Sequence, residues 1–401
     1  MALLLRLAYD ATQPNRIVVT YEADPLTYDQ IARNLLAGRG FTGASFYYPP
    51  NTENPTAFWD PLYPAFLAAL YWLFGRSVLI VRVVQAVLGA GAVALTFLLA
   101  RRLAGTPAAL VAAAISAIYP FFIYYAAQLL TETLFMALMV GSFVAGYRAQ
   151  DTARRRWFAV FGAVTGLAAL CRAEAYVFGL ALIPWLAVRA ARPWRRRAAL
   201  AAVGWAALLV VMLPWGIRNQ VTHGQFILTT TKLGYNLYKY YHPTMTADQT
   251  VPVVPYPDLD DLTEPQREAV MRREGVGFML ATPRRTLWFM ANKVALLFKL
   301  TPSNDVNRKY ALVSVASYGV LLPFMAAGLV MALRWRGDWL PVAAYVLFGV
   351  ATKAAVFAGI RLRMQIEPFL IVLASATVVA LVARLAPAGW LQLVRPATVQ
   401  A

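Results

Sequence analysis

Residues 79–99 read L-I-V-R-V-V-Q-A-V-L-G-A-G-A-V-A-L-T-F-L-L and run up against Arg101 and Arg102. A run of about twenty mainly apolar residues makes a helix about 30 Å long, which matches the hydrocarbon core of a bilayer. The same pattern repeats outward. Apolar runs at 108–124, 128–147, 157–171, 175–188 and 198–215 alternate with short loops, and further runs lie at 311–333, 340–358 and 365–385. Of the 401 residues, 60% are hydrophobic and 14% charged, with a mean hydropathy of +0.55, a composition that excludes a water-soluble domain. The alternating segments of about ten residues that build a membrane barrel are absent. The fold class expected is therefore an all-α polytopic membrane protein.

The formal net charge of +18 does not point to nucleic acid, because the arginines gather in short loops between apolar runs. Arg101 and Arg102 fill one loop, Arg148 and Arg154 to Arg156 a second, and Arg189, Arg192 and Arg195 to Arg197 a third. Clustering of this kind marks the cytoplasmic side, so the partner implied is the lipid bilayer. The turns near Tyr125 and Arg172 then fall on the other side. One cysteine, Cys171, excludes an internal disulfide and a cysteine-based metal cluster. His223 and His242, far apart in sequence, do not suggest a zinc site.

Residues 1–385 read as one transmembrane domain with two large outer loops, 10–60 and 216–283, followed by a cytoplasmic tail at 386–401. Residues 1–9 read like the last turns of a helix whose beginning is missing. The run to Phe74, bounded by Pro64 and Gly75, is too short to cross and is expected to lie at the interface. Residues 284–300 are expected to do the same, since a crossing there would put Arg334 and Arg336 outside. The second loop carries Asp248, Asp258, Asp260, Asp261, Glu264, Glu268 and Glu274, with a helix near 264–278.

The chemistry is expected in residues 21–41. Asp24 precedes Pro25 as a helix N-cap, Ile31, Leu35 and Leu36 recur at helical spacing, and Gly38 and Gly40 stop the run. Asp29 reads as a solvated helix residue. Glu132, Glu174 and Glu367 lie in or beside apolar runs, where a carboxylate is costly and raises a functional hypothesis. Glu132 is expected about one turn inside its span, roughly 6 Å. Arg172, Arg218, Lys353, Arg361 and Arg363 fall at outer ends too, so acids and bases would gather beneath the loop that carries Asp24. Plainer readings stand beside these: Glu132 as an interfacial residue, Arg172 with Glu174 as a structural ion pair, and Lys353 snorkelling to the headgroups.

A series of short signatures resembles the GT-C class of membrane glycosyltransferases that use a polyprenyl-phosphate sugar. The nearest branch is the family-39-like group of protein O-mannosyltransferases, aminoarabinose transferases and lipopolysaccharide-core glycosyltransferases. The signatures are Asp24-Pro25-Leu26-Thr27-Tyr28, Ile31-Ala32-Arg33-Asn34-Leu35, Gly38-Arg39-Gly40-Phe41, Pro61-Leu62-Tyr63-Pro64, Thr131-Glu132-Thr133-Leu134-Phe135, Arg172-Ala173-Glu174, Pro214-Trp215-Gly216-Ile217-Arg218-Asn219, Gly234-Tyr235-Asn236-Leu237 and Arg361-Leu362-Arg363 with Pro368. The chain departs from the family's pattern in three places: only the end of the first transmembrane helix is visible, Asp60 precedes Pro-Leu-Tyr-Pro, and Ala173 stands where a proline is usual.

The resemblance implies a GT-C transmembrane bundle in a bacterial inner membrane, with its site facing the periplasm or cell exterior. It implies Asp24 as catalytic base, with Glu132 placing the acceptor, the sugar or a divalent cation. Arg218, Arg361, Arg363 and Lys353 are candidates for the donor phosphate. Tyr28, Asp60, Tyr63, Arg172, Glu174, Asn219 and Asn236 are candidates for the rest of the substrate. No metal site is expected from the residues, although two carboxylates could hold Mg²⁺ or Mn²⁺. The partners implied are a polyprenyl-phosphate sugar donor and a glycan, lipid or protein acceptor. A transporter or flippase of lipid-linked sugars is the alternative; such proteins place polar groups at the bilayer midplane and often carry repeats.

Overall fold

Mid-length apolar sequence dictates a helical answer here, because only helices satisfy every backbone polar group within one segment in lipid. The computed structural model describes residues 1–18, 24–45, 54–245, 254–255, 257–259, 261–301 and 308–385. Residues 386–401, Asp248 and Asp260 lie outside the described residues. Within them no strand forms, and Thr42 and Pro55 make an isolated antiparallel bridge.

The helices are α1 Ala2–Ala11, α2 Asp24–Leu36, α3 Leu62–Phe74, α4 Val78–Ile118, α5 Pro120–Ala126, α6 Glu132–Thr152, α7 Arg155–Cys171, α8 Glu174–Ala190 and α9 Trp194–His223. They continue as α10 Lys232–Tyr241, α11 Glu264–Ala281, α12 Pro283–Leu297, α13 Arg308–Ser314, α14 Val320–Trp335, α15 Leu340–Ala355, α16 Ile360–Arg363 and α17 Glu367–Leu385. A π-helical turn, Val315–Gly319, joins α13 to α14. Among the described residues, four stretches are long and apolar enough to cross a membrane: α4, α9, residues Ala311–Trp335 and α17. The chain is a multi-pass membrane protein.

Four expectations are corrected. The run 108–124 is not one helix: α4 bends at Gly105, which takes a left-handed φ of 82° open to glycine, and stops at Ile118 before Pro120 starts α5. Glu132 is the first residue of α6, not one turn inside it. The second loop starts after His223, not at Gly216, because α9 continues through Pro214 and carries Arg218 and Asn219. Asp29 is 2% exposed, accepting from Arg33 (3.0 Å), Arg76 (2.9 Å) and Tyr71 (2.8 Å). Three donors, two of them more than forty residues on in sequence, replace its water.

Close packing follows from small residues. A Cβ on Gly162 of α7 would stand 2.0 Å from the Gly204 carbonyl of α9, and one on Gly166 would stand 2.8 Å from the Leu208 carbonyl. Glycines four apart let these two backbones touch, the usual way apolar helices associate in lipid. α1 is pinned to α4 by Arg6, which donates to the carbonyls of Ser116 and Ala117 and lies against Gly89.

At one end of the bundle a single carboxylate gathers the helix turns. Asp338, between α14 and α15, accepts from Arg102 (2.9 Å), Arg189 (2.9 Å) and Gln150 (2.9 Å). Arg102 also grips Asp151 at 2.7 and 2.9 Å. Burial pushes the Asp338 carboxyl up, but the hydrogen bonds from Gln150, Arg102 and Arg189 outweigh it and hold it below its ordinary value. The arginine-rich turns of the sequence converge here.

Candidate active site

The opposite end is reached along α6 and α8, whose first residues are Glu132 and Glu174. Asp24 opens α2, which is seated by buried Tyr28, Ile31 and Ala32. Asn34 fastens its far end by donating to the Thr42 carbonyl at 3.0 Å. Between these carboxylates lies Arg361 of the short helix α16. Its Nη1 donates to Asp24 at 2.8 Å and its Nε to Glu132 at 2.6 Å. Arg172, capping α7, donates to the same Glu132 oxygen at 2.7 Å. The other oxygen, Glu132 Oε2, is buried with no hydrogen-bond partner, as is Arg172 Nε.

The ion pairs are exchanged relative to the local expectation. Arg172 takes Glu132 and not Glu174, while Glu174 binds Lys353 of α15. Tyr28 packs edge-on against Trp59 at 5.4 Å and Tyr63 at 5.1 Å. Tyr63 donates to Gln85 at 2.7 Å, and Gln85 in turn holds the Ala126 and Gln128 carbonyls, setting the approach to α6. Asp60 follows Trp59. Burial pushes its carboxyl up to about 6, while Lys232 and Arg172 pull it back.

Three expected residues face elsewhere. Arg363 is 0% exposed, donating to Glu367 at 2.5 Å with its guanidinium 3.4 Å above the Tyr318 ring. Arg218 donates to the carbonyls of Thr56 (2.9 Å) and Phe41 (2.8 Å), holding two loops together. Asn219 donates to the Ile227 carbonyl at 2.8 Å. These are scaffold contacts. Asn236 lies one turn beyond Lys232 on the same face of α10.

Lys232 is the residue that sequence reading missed. Its ammonium stands 4.1 Å from the centre of the Trp59 ring and 5.0 Å from that of Phe58. Two contacts put it there: Thr231 donates its N–H to the Ala57 carbonyl at 3.1 Å, and Glu264 accepts from Ala57 N–H (2.8 Å) and the Thr231 hydroxyl (2.7 Å). α10 also holds the approach to Arg361 from its other end. Tyr241 donates to the Ala355 carbonyl at 2.8 Å, and Lys293 of α12 to the Val356 carbonyl at 3.1 Å.

A cavity of about 610 Å³ opens between α2, α3, α7 and α9, walled by Leu35, Leu62, Leu170, Val211 and Trp215, with Arg39 and Arg218 beside it. Pro61, also in its wall, precedes Leu62 and follows Asp60 in the chain. No cluster of three or more metal-ligating side chains occurs among the described residues. Asp24 and Glu132 share the Arg361 guanidinium.

A family model for dolichyl-phosphate-mannose-protein mannosyltransferase matches residues 54–216. No curated protein matches by sequence. Among solved structures, the apo oligosaccharyltransferase of Archaeoglobus fulgidus is similar with a TM-score of 0.57 at 16% identity, covering 96% of this chain and 50% of that one. The A. fulgidus oligosaccharyltransferase AglB in complex with an inhibitory peptide and a dolichol-phosphate gives 0.55 at 15% identity, with 96% and 50% covered. ArnT from Cupriavidus metallidurans bound to undecaprenyl phosphate gives 0.45 at 16%, with 96% and 78% covered. The chain thus spans about half the length of the archaeal enzyme it matches. Its fold is like that of the archaeal oligosaccharyltransferase.

Proposed function

We propose that the chain is an inverting glycosyltransferase that moves a sugar from a polyprenyl-phosphate donor to an acceptor hydroxyl. The observation that carries this reading is Arg361 held between Asp24 and Glu132, in a chain that also holds an apolar cavity, walled in part by α2 and α3, able to receive an isoprenoid tail. The acceptor oxygen attacks the anomeric carbon, the carbon–oxygen bond to phosphate breaks with its electron pair going to the phosphate, and the hydroxyl proton passes to Asp24. Phosphate leaves without an acid, so one base suffices. As Asp24 gains a proton it loses its charge, and Arg361 is released from one of its two anionic partners just as the phosphate becomes more negative. Arg172, which donates to the same Glu132 oxygen as Arg361, supplies further positive charge. Of the residues named from sequence, Asp24, Glu132, Arg361 and Arg172 form this centre. Tyr28, Asp60, Tyr63, Glu174 and Lys353 border it.

The arginine-rich turns lie toward the Asp338 end, which by the positive-inside rule supports a cytoplasmic side there and an outer face at the Asp24 end. The setting proposed is cell-envelope glycan or lipopolysaccharide assembly in a bacterial inner membrane. The test is label transfer: protein in nanodiscs is given labelled polyprenyl-phosphate sugars and candidate acceptors. Transfer by the wild type that Asp24→Asn removes supports the reading. Movement of intact donor across a vesicle bilayer with no product would overturn it in favour of a flippase.

A further inference from the structure

We propose that Lys232 binds the phosphate of the lipid-linked donor and receives the charge that phosphate gains when the glycosyl bond breaks. This rests on the glycosyltransferase reading above.

A polyprenyl-phosphate sugar is a phosphodiester with one negative charge; the released polyprenyl phosphate is a monoester that can carry a second. The electron pair of the breaking bond goes to a phosphate oxygen, and the proton of the acceptor goes to Asp24. The site therefore needs a cation that can turn to the phosphate oxygens. The other cations bordering the centre are engaged by carboxylates: Arg361 with Asp24 and Glu132, Arg172 with Glu132, and Lys353 with Glu174.

Lys232 is different. Among the described residues its ammonium makes ring contacts with Trp59 and Phe58 but no hydrogen bond and no ion pair. Its three N–H donors are uncommitted. Burial disfavours its charge, Asp24 and Asp60 favour it, and Arg172 and Arg361 oppose it, so it lies in the field of the same groups that form the centre. The aromatic face holds the cation without neutralising it. Trp59 is itself fixed by its indole N–H, which donates to the Ala44 carbonyl at 2.7 Å. A compact ammonium on a flexible stem suits a phosphate whose oxygens shift as the bond breaks.

The experiment uses the full chain in nanodiscs and two probes, farnesyl phosphate and farnesol, with tryptophan fluorescence as the readout because Trp59 lies under the lysine. Lys232→Met should weaken farnesyl phosphate binding by about tenfold or more, as expected for loss of a charge-assisted hydrogen bond. Farnesol binding should stay unchanged, and Lys232→Arg should restore most of the loss. In turnover with a polyprenyl-phosphate sugar, the donor KM should rise in the Met variant and fall back in the Arg variant. Equal binding of farnesyl phosphate by wild type and Lys232→Met overturns the assignment. If the Met variant does not fold, Lys232→Gln takes its place with the same criterion. A wild type that neither binds farnesyl phosphate nor transfers sugar sinks the glycosyltransferase reading and this assignment together. An active wild type with an equally active Lys232→Met removes the lysine alone.

Discussion

Two clusters of carboxylates and guanidinium groups stand at opposite ends of the same helices, about 28 Å apart along α6 at 1.5 Å per residue. At the Asp338 end both carboxylate oxygens are used, and three side chains from three helices converge on them, with the Gln150 Oε1 left as the buried atom without a partner. The groups there remain open to water, with the Asp338 side chain 25% exposed. At the Asp24 end the carboxylate of Glu132 is 0% exposed, yet one of its oxygens and the Nε of its partner Arg172 have no hydrogen bond. Leaving such atoms unmatched costs about 1–3 kcal/mol each. The same chemistry thus serves two ends differently. A carboxylate paired at both oxygens ties turns together, and one paired at a single oxygen in a buried place keeps an acceptor in reserve.

Substitutions can break that contrast. The largest effect is expected from Asp24→Asn, which should reduce sugar transfer by about 10²- to 10⁴-fold, the range for losing a general base, while donor binding persists; product formation at wild-type rate would remove Asp24 from the chemistry. Next is Glu132→Ala, which strands two guanidinium groups. It should lower stability by about 3–5 kcal/mol, as when one partner of a buried ion pair is removed, and abolish transfer, both measurable on one detergent sample. Asp338→Ala sharpens the comparison from the other side. It should lower the unfolding midpoint, reflecting about 1–3 kcal/mol of lost hydrogen bonding, and leave turnover intact; a large fall in turnover with no loss of stability would show that the two ends are not separable in this way.

The smallest effect concerns pH. With its carboxyl pushed up to about 6 from an ordinary 3.8, Asp60 holds more proton in the folded protein than in the unfolded chain between those values. Stability should therefore fall as pH rises through that window. Asp60→Asn should flatten that part of the profile in thermal melts between pH 4 and 7. Asp338 behaves with the opposite sign, its depressed carboxyl supporting the fold above its ordinary value and losing that support as pH falls toward its folded value.

How far these features are legible in sequence depends on how far apart the partners lie. Span positions follow from apolar length, so α7 and α8 fall within a few residues of the expected bounds. Asp24, Glu132, Arg172 and Arg361 could be named because each sits beside a helix end where a charge in an apolar neighbourhood is conspicuous. Arg363, two residues from Arg361, was equally conspicuous but points differently. Residues two apart on a helix are about 200° apart, so one faces Asp24 and the other Glu367. Asp29 was misread because Tyr71 and Arg76, which take up its charge, arrive from another helix and its following turn. Lys232 gave no local signal at all. Its placement depends on Glu264 joining Ala57 to Thr231, a connection across more than two hundred residues.

One consequence follows from α10 itself. Its ten residues make a rod about 15 Å long, with Lys232 at the head and, at the tail, Tyr241 fastened to the backbone six residues before Arg361. Two positive charges supplied by distant parts of the chain are thereby hung on a single strut, and tilting it would shift both. Trimming the phenolic hydroxyl of Tyr241 is a way to loosen that strut from its far end, without touching either charge.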